Sequence, residues 1–115
     1  MPAKFYHNPR CSKSRETLAL LEDRGVDPEI IEYLTTPPTK SELKKILRML
    51  DFKPRDLMRK KEKEYKDNDL DNTTLSDEQL IDAMLAHPKL IERPIVIIGD
   101  RAVLGRPPEN VLEIL

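Results

Sequence analysis

Short apolar runs, each closed by a proline, a glycine or a polar stretch, divide most of this chain into candidate elements. Near its start, Lys4-Phe5-Tyr6 reads as the end of a strand, and Thr17, Leu18 and Leu21 with a stop at Gly25 read as a helix. Pro28-Glu29-Ile30-Ile31-Glu32-Tyr33-Leu34 is branched and apolar enough for a second strand. A strand, a helix and a strand in succession predict a parallel pair.

Thr35-Thr36-Pro37-Pro38 breaks the regular pattern, and Thr39-Lys40-Ser41-Glu42 is a capping box opening a helix with Leu43, Ile46, Leu47 and Leu50 on one face. Pro54 ends that helix. Residues 55–66 predict a further, highly charged helical stretch containing Leu57, Met58 and Tyr65, and the polar segment 67–74 predicts a mobile loop. A second capping box, Ser76-Asp77-Glu78-Gln79, opens an amphipathic helix with Leu80, Ile81, Met84 and Leu85. Met49, Met58 and Met84 are expected to fill core. Ile95-Val96-Ile97-Ile98 and Arg101-Ala102-Val103-Leu104 flank Gly99-Asp100, the signature of a two-residue hairpin with glycine first. Pro107-Pro108 suits the first turn of a closing helix with Val111, Leu112 and Leu115 inward. The order outlines an α/β, thioredoxin-like fold with a mixed sheet. It is expected as a single domain over 1–115, with a helical insertion at about 36–88.

Composition narrows the function classes. A chain of 115 residues buries one core. Its 20 basic and 21 acidic residues leave a net charge of −1, which predicts neither nucleic acid nor membrane as partner. Met1-Pro2-Ala3-Lys4 lacks the pattern of a secretory segment, and the longest plain apolar run, Ile95-Val96-Ile97-Ile98, is far too short to span a bilayer. One cysteine forms no internal disulfide and suits the cytoplasm. His7 and His87 lack metal-ligand spacing, so no metal is expected.

That cysteine, Cys11, falls where a strand hands over to a helix. The unpaired N–H groups of a first helical turn and the helix dipole favour a thiolate there, and His7, Arg10, Lys13 and Arg15 add positive charge nearby. The alternative is a small buried hydrophobe, against which Pro9 and the polar neighbours argue. A nucleophile acting on an anion needs fixed cations, and the three isolated glycines make no phosphate cradle. Arg93 before Pro94 and Arg106 before Pro107 are each pinned at the edge of an element; they meet Cys11 if the hairpin packs beside the first strand. Arg59 is a further candidate, with a solvated arginine as the alternative for all three. His7 reads as an imidazolium partner, a proton shuttle or a structural histidine. Ser14 either turns its hydroxyl to the sulfur or bonds backbone at the helix start, and Ser12 shares that ambiguity. The run Arg59-Lys60-Lys61-Glu62-Lys63-Glu64 reads as a solvated helix face. A phosphatase-type loop would need an arginine where Thr17 stands, and a two-cysteine redox motif would need its second thiol where Ser14 stands.

With these residues in hand, the chain resembles the arsenate reductase family coupled to glutathione and glutaredoxin. The likeness rests on four segments in order: His7-Asn8-Pro9-Arg10-Cys11-Ser12-Lys13-Ser14-Arg15, Leu57-Met58-Arg59-Lys60, Glu92-Arg93-Pro94-Ile95-Val96 and Leu104-Gly105-Arg106-Pro107. The first, with the Gly105-Arg106-Pro107-Pro108 ending, is most similar to a chromosomal, arsenate-reductase-like branch. The resemblance implies that Cys11 attacks arsenate, that Arg59, Arg93 and Arg106 bind the oxyanion, and that the peptide before Pro94 is cis. It also implies that no cofactor is tightly bound: glutathione serves as co-substrate, and glutaredoxin clears its mixed disulfide. Two other readings stay open, a regulator like the Spx proteins that bind RNA polymerase, and a glutathione-dependent thiol oxidoreductase with another substrate.

Overall fold

The computed structural model describes residues 2–115 and falls into two compact units, divided between Thr36 and Pro37 and again between Glu92 and Arg93. The first unit contains β1 (Ala3–Tyr6), α1 (Ser12–Asp23), β2 (Glu29–Ile31), β3 (Ile95–Ile98) and β4 (Arg101–Leu104), then a 3₁₀ segment, Pro108–Ile114. The sheet runs in the order β2-β1-β3-β4, with β1 parallel to β2 and antiparallel to β3, and β4 antiparallel to β3. It is therefore the mixed sheet that the element order predicts. Gly99, at φ +63°, begins the expected hairpin turn, a backbone region that glycine enters at no steric cost.

Register decides where the chemistry gathers. Tyr6 pairs with Ile95 and Ile95 with Leu104, so the exit of β1, the entry of β3 and the exit of β4 lie side by side. His7 and the loop to Cys11, Arg93-Pro94, and Gly105-Arg106 thus share one end of the sheet. On one face, Phe5, Val96 and Ile98 pack with Leu21 of α1 and with Val111 and Ile114.

The closing segment departs from the expected helix. Val111 and Ile114 are buried whereas Leu115 is 47% exposed. A 3₁₀ winding repeats every three residues, so the inward partner of Val111 is Ile114 and not Leu115. The second strand is also shorter than expected, because the carbonyl of Glu32 accepts from the N–H groups of Thr35 and Thr36 and turns the chain.

The second unit contains α2 (Lys40–Leu50), a 3₁₀ turn (Pro54–Leu57), α3 (Lys63–Asp67), α4 (Asp77–Ala86) and a 3₁₀ turn (Pro88–Leu90). Both capping boxes form: Thr39 with Glu42, and Ser76 with Gln79, each through reciprocal side-chain and backbone bonds. Residues 55–66 are not one helix. Leu57 and Arg59 exchange backbone hydrogen bonds with Glu92 and Leu90, and this pairing interrupts the helix until Lys63. Met58 and Met84 are buried as expected, while Met49 is half-buried. The segment expected to be a mobile loop is tied down, since the Arg55 guanidinium donates to Tyr65 Oη and to the carbonyls of Leu70 and Asn72.

Candidate active site

Cys11 is the N-cap of α1: its carbonyl accepts from the N–H of Arg15 at 3.1 Å, and its backbone is extended, at φ −93° and ψ 122°. The residue therefore heads the first turn, where N–H groups lack helical partners and the dipole is positive, although its side chain takes no capping hydrogen bond from them. Unlike the open loop its neighbours suggest, Cys11 is 9% exposed. Arg106 overlies it: Nη2 donates to Sγ at 3.6 Å, while Nε of the same guanidinium donates to the carbonyl of Arg93 at 2.7 Å. One arginine is thereby aimed by the backbone of another. The Arg93 side chain is itself buried. The Arg93–Pro94 and Arg106–Pro107 peptides are both cis, the second of which the sequence does not announce.

His7 and Ser14 make a second arrangement behind the loop. His7 Nδ1 lies 2.7 Å from Ser14 Oγ, which also accepts from the N–H of Asn8 at 3.2 Å. Asn8 in turn accepts from the N–H of Cys11 at 3.0 Å. Burial pushes the His7 imidazole below its usual range, helped by Arg15 and opposed by Glu32; the Phe5 ring stands edge-on 5.3 Å away. The direction of the His7–Ser14 bond follows the tautomer of the ring: the Ser14 hydroxyl donates when the ring proton is on Nε2 and accepts when it is on Nδ1. Among the three readings of His7, burial works against the imidazolium. Ser14 spends its hydroxyl on His7 and Asn8.

The ArsC family model matches residues 6–114. The chain belongs to the ArsC family. The arsenate reductase of Haemophilus influenzae is 53% identical over 116 residues, covering 100% of both chains. The uncharacterized protein YfgD of Escherichia coli K12 is 54% identical over 113 residues, 97% of this chain and 95% of that one. The solved structure of an arsenate reductase from Vibrio cholerae superposes with a TM-score of 0.97 at 54% identity, covering 100% of this chain and 98% of that chain. The mixed sheet is accordingly the thioredoxin-like sheet of ArsC proteins.

Two residues of this ArsC-family site escape sequence reasoning. Asn110 Nδ2 donates to the carbonyls of Arg106 at 2.9 Å and Leu104 at 3.3 Å, bracketing Gly105 and bracing the turn that carries Arg106. Gly105 is packed so closely that a Cβ there would lie 2.7 Å from Thr17 Oγ1, 2.8 Å from Pro94 Cγ and 2.9 Å from Thr17 Cγ2. The signal for Gly105 was present in the Leu104-Gly105-Arg106-Pro107 segment; for Asn110 there was none. Arg59 belongs to the other unit, where its guanidinium pairs with Glu62 at 2.6 Å and Glu92 at 3.5 Å, so it is not the free solvated cation of the plain reading. Among the described residues, no cluster of three or more His, Cys, Asp or Glu side chains suits a metal ion, and no helix is long and apolar enough to cross a membrane.

Gly105→Ala is expected to lose about 1–3 kcal/mol of stability in urea denaturation, the usual cost of overpacking. Thr17→Ala should recover part of that loss, so a double-mutant cycle that proves additive would contradict the close approach. His7 generates a pH prediction. Because its folded-state pKa is lowered, the unfolded chain binds the proton more readily, so its contribution is fully present above 6.5 and is lost as pH falls through 6.5 toward the folded value. The stability advantage of the parent over His7→Asn should therefore shrink between pH 7.5 and pH 5.5, on the order of the His titration range. A constant difference would contradict a buried, neutral imidazole.

Proposed function

We propose that this ArsC-family protein reduces arsenate to arsenite, with Cys11 as nucleophile and Arg106 and Arg93 as oxyanion-binding cations. The observation that carries the reading is the Arg106 guanidinium, which reaches the Cys11 sulfur while its Nε is fixed on the Arg93 carbonyl. A planar, permanently charged fork beside a sulfur at a helix N-terminus suits a tetrahedral oxyanion arriving at that sulfur. The names of the relatives supply the substrate.

In the proposed chemistry the Cys11 thiolate attacks arsenic and a hydroxyl leaves as water, forming a bond from sulfur to As(V). Glutathione thiolate then attacks Sγ. The S–As bond breaks, its electron pair reduces arsenic to As(III), arsenite leaves, and Cys11 is left in a mixed disulfide with glutathione. Glutaredoxin takes the glutathionyl group and returns Cys11 to the thiolate. His7 and Ser14 serve the loop geometry in this scheme, holding Asn8 and through it the Cys11 N–H. The resemblance of the Leu57-Met58-Arg59-Lys60 segment to that of the family is what implies an oxyanion role for Arg59. The protein is placed in the cytoplasm, where a lone thiol and these reductants coexist.

Arsenate-dependent NADPH oxidation, coupled through glutathione, glutaredoxin and glutathione reductase, tests the reading. Turnover should vanish in Cys11→Ser, and kcat/KM should fall by about ten- to a hundredfold in Arg106→Ala, the range for losing a hydrogen bond to a charged group. Intact arsenate turnover after alanine substitution at both Arg93 and Arg106 would discard the anion-site assignment.

A further inference from the structure

We infer that a cleft on the flank of the Cys11 loop receives the glutathionyl group of the thiol co-substrate, an assignment that rests on the glutathione step proposed above. The cleft holds about 240 Å³, the size for one end of a tripeptide and its cysteinyl limb. One wall is the loop itself, Asn8-Pro9-Arg10, which leads directly into the nucleophile; the other is the turn after β2, with Glu32, Leu34 and Thr35.

Both walls are braced by hydrogen bonds within the protein. The Arg10 N–H donates to Asn8 Oδ1 at 3.0 Å, and the Pro9 carbonyl accepts from Arg15 Nη1 at 2.8 Å. The opposite turn is closed by the Thr35 and Thr36 N–H groups on the Glu32 carbonyl, and the two walls are joined where the His7 N–H donates to the carbonyl of Ile31 at 2.8 Å. A preformed cleft costs little ordering entropy when filled.

Its chemistry is that of a zwitterion receptor. Arg10 contributes a cation from the loop and Glu32 an anion from the turn, and Pro9 and Leu34, the latter 38% exposed, add apolar surface to the same lining. A glutathionyl group carries carboxylates at both ends, one ammonium on its γ-glutamyl end and a short apolar limb ending in sulfur. Arg10 matches a carboxylate, Glu32 matches the ammonium, and Leu34 with Pro9 receives the limb. An inorganic oxyanion has no use for Glu32 or Leu34, so the cleft serves a different ligand from the arginine cluster.

The test uses thiol–disulfide exchange on the full-length protein, with no arsenate present. The Cys11 thiolate attacks one sulfur of glutathione disulfide, forming the Cys11–glutathione disulfide and releasing glutathione thiolate. Its rate, divided by the rate with the neutral bis(2-hydroxyethyl) disulfide, reports recognition of the glutathionyl group. Glu32→Gln is the decisive variant. Net electrostatics alone would raise the rate with the anionic glutathione disulfide when an acid is removed, whereas loss of an ammonium partner lowers the ratio. We expect the ratio to fall about threefold in both Glu32→Gln and Arg10→Gln, the scale of an exposed ion pair. Alkylation by neutral iodoacetamide should stay within about twofold of the parent, separating recognition from thiol reactivity. A ratio that is unchanged or raised in Glu32→Gln overturns the assignment. Arsenate turnover with an unchanged ratio would overturn the cleft alone; a lowered ratio without arsenate turnover would overturn the arsenate reading alone.

Discussion

The close approach of α1 to the turn after β4 governs the geometry of this site. Gly105 lies against Thr17 and the Pro94 ring at distances no side chain would permit, and the Gly105 N–H donates to the carbonyl of Pro94. That contact brings the next residue, Arg106, within reach of the cap of α1, and therefore of the cysteine. The remaining supports act on the same turn: the Arg93 carbonyl orients the guanidinium, and Asn110 holds the carbonyls on either side of the glycine.

Two sources of positive potential then meet at Cys11, and their magnitudes differ. A helix terminus contributes roughly 0.3–1 kcal/mol to a nearby anion at an exposed site. A hydrogen bond from a charged donor contributes about 1.5–3 kcal/mol. The guanidinium is thus the larger influence in the proposed chemistry, and α1 mainly fixes where the sulfur stands. His7 acts differently. Buried, with its imidazole pushed below the usual range, it bonds Ser14 Oγ and supports the loop through Asn8.

The elements set by local chemistry were legible in the sequence. Thr39 with Glu42, Ser76 with Gln79, and Gly99 in the hairpin each act through neighbours a few residues away, and each forms as expected. The hand-over from strand to helix at Cys11 followed from element order, whereas the gathering of Arg93 and Arg106 at one sheet end was conditional on the hairpin lying beside β1, which the register supplies. What escaped was set by distant partners. The helix expected over 55–66 is interrupted by pairing with residues 90–92, and the segment after α3 is held by Arg55. Period 3.0 in place of 3.6 turned Ile114 inward, a choice composition alone could not reveal. Asn110 carried no motif because its role is to two backbone carbonyls.

The site depends on a fixed cation at the sulfur, and paired alkylation measures that cation most directly. Cys11 would be treated in parallel with anionic iodoacetate and neutral iodoacetamide, in the parent and in Arg106→Gln, and the ratio of the two rates recorded. Taking that ratio cancels changes in thiolate fraction and leaves the local field felt by an approaching anion. With Arg106 over the sulfur, the ratio should favour iodoacetate in the parent, fall several-fold in Arg106→Gln, and weaken as salt is raised. The same ratio in both proteins would contradict a fixed cation there, and with it the central place given to Arg106.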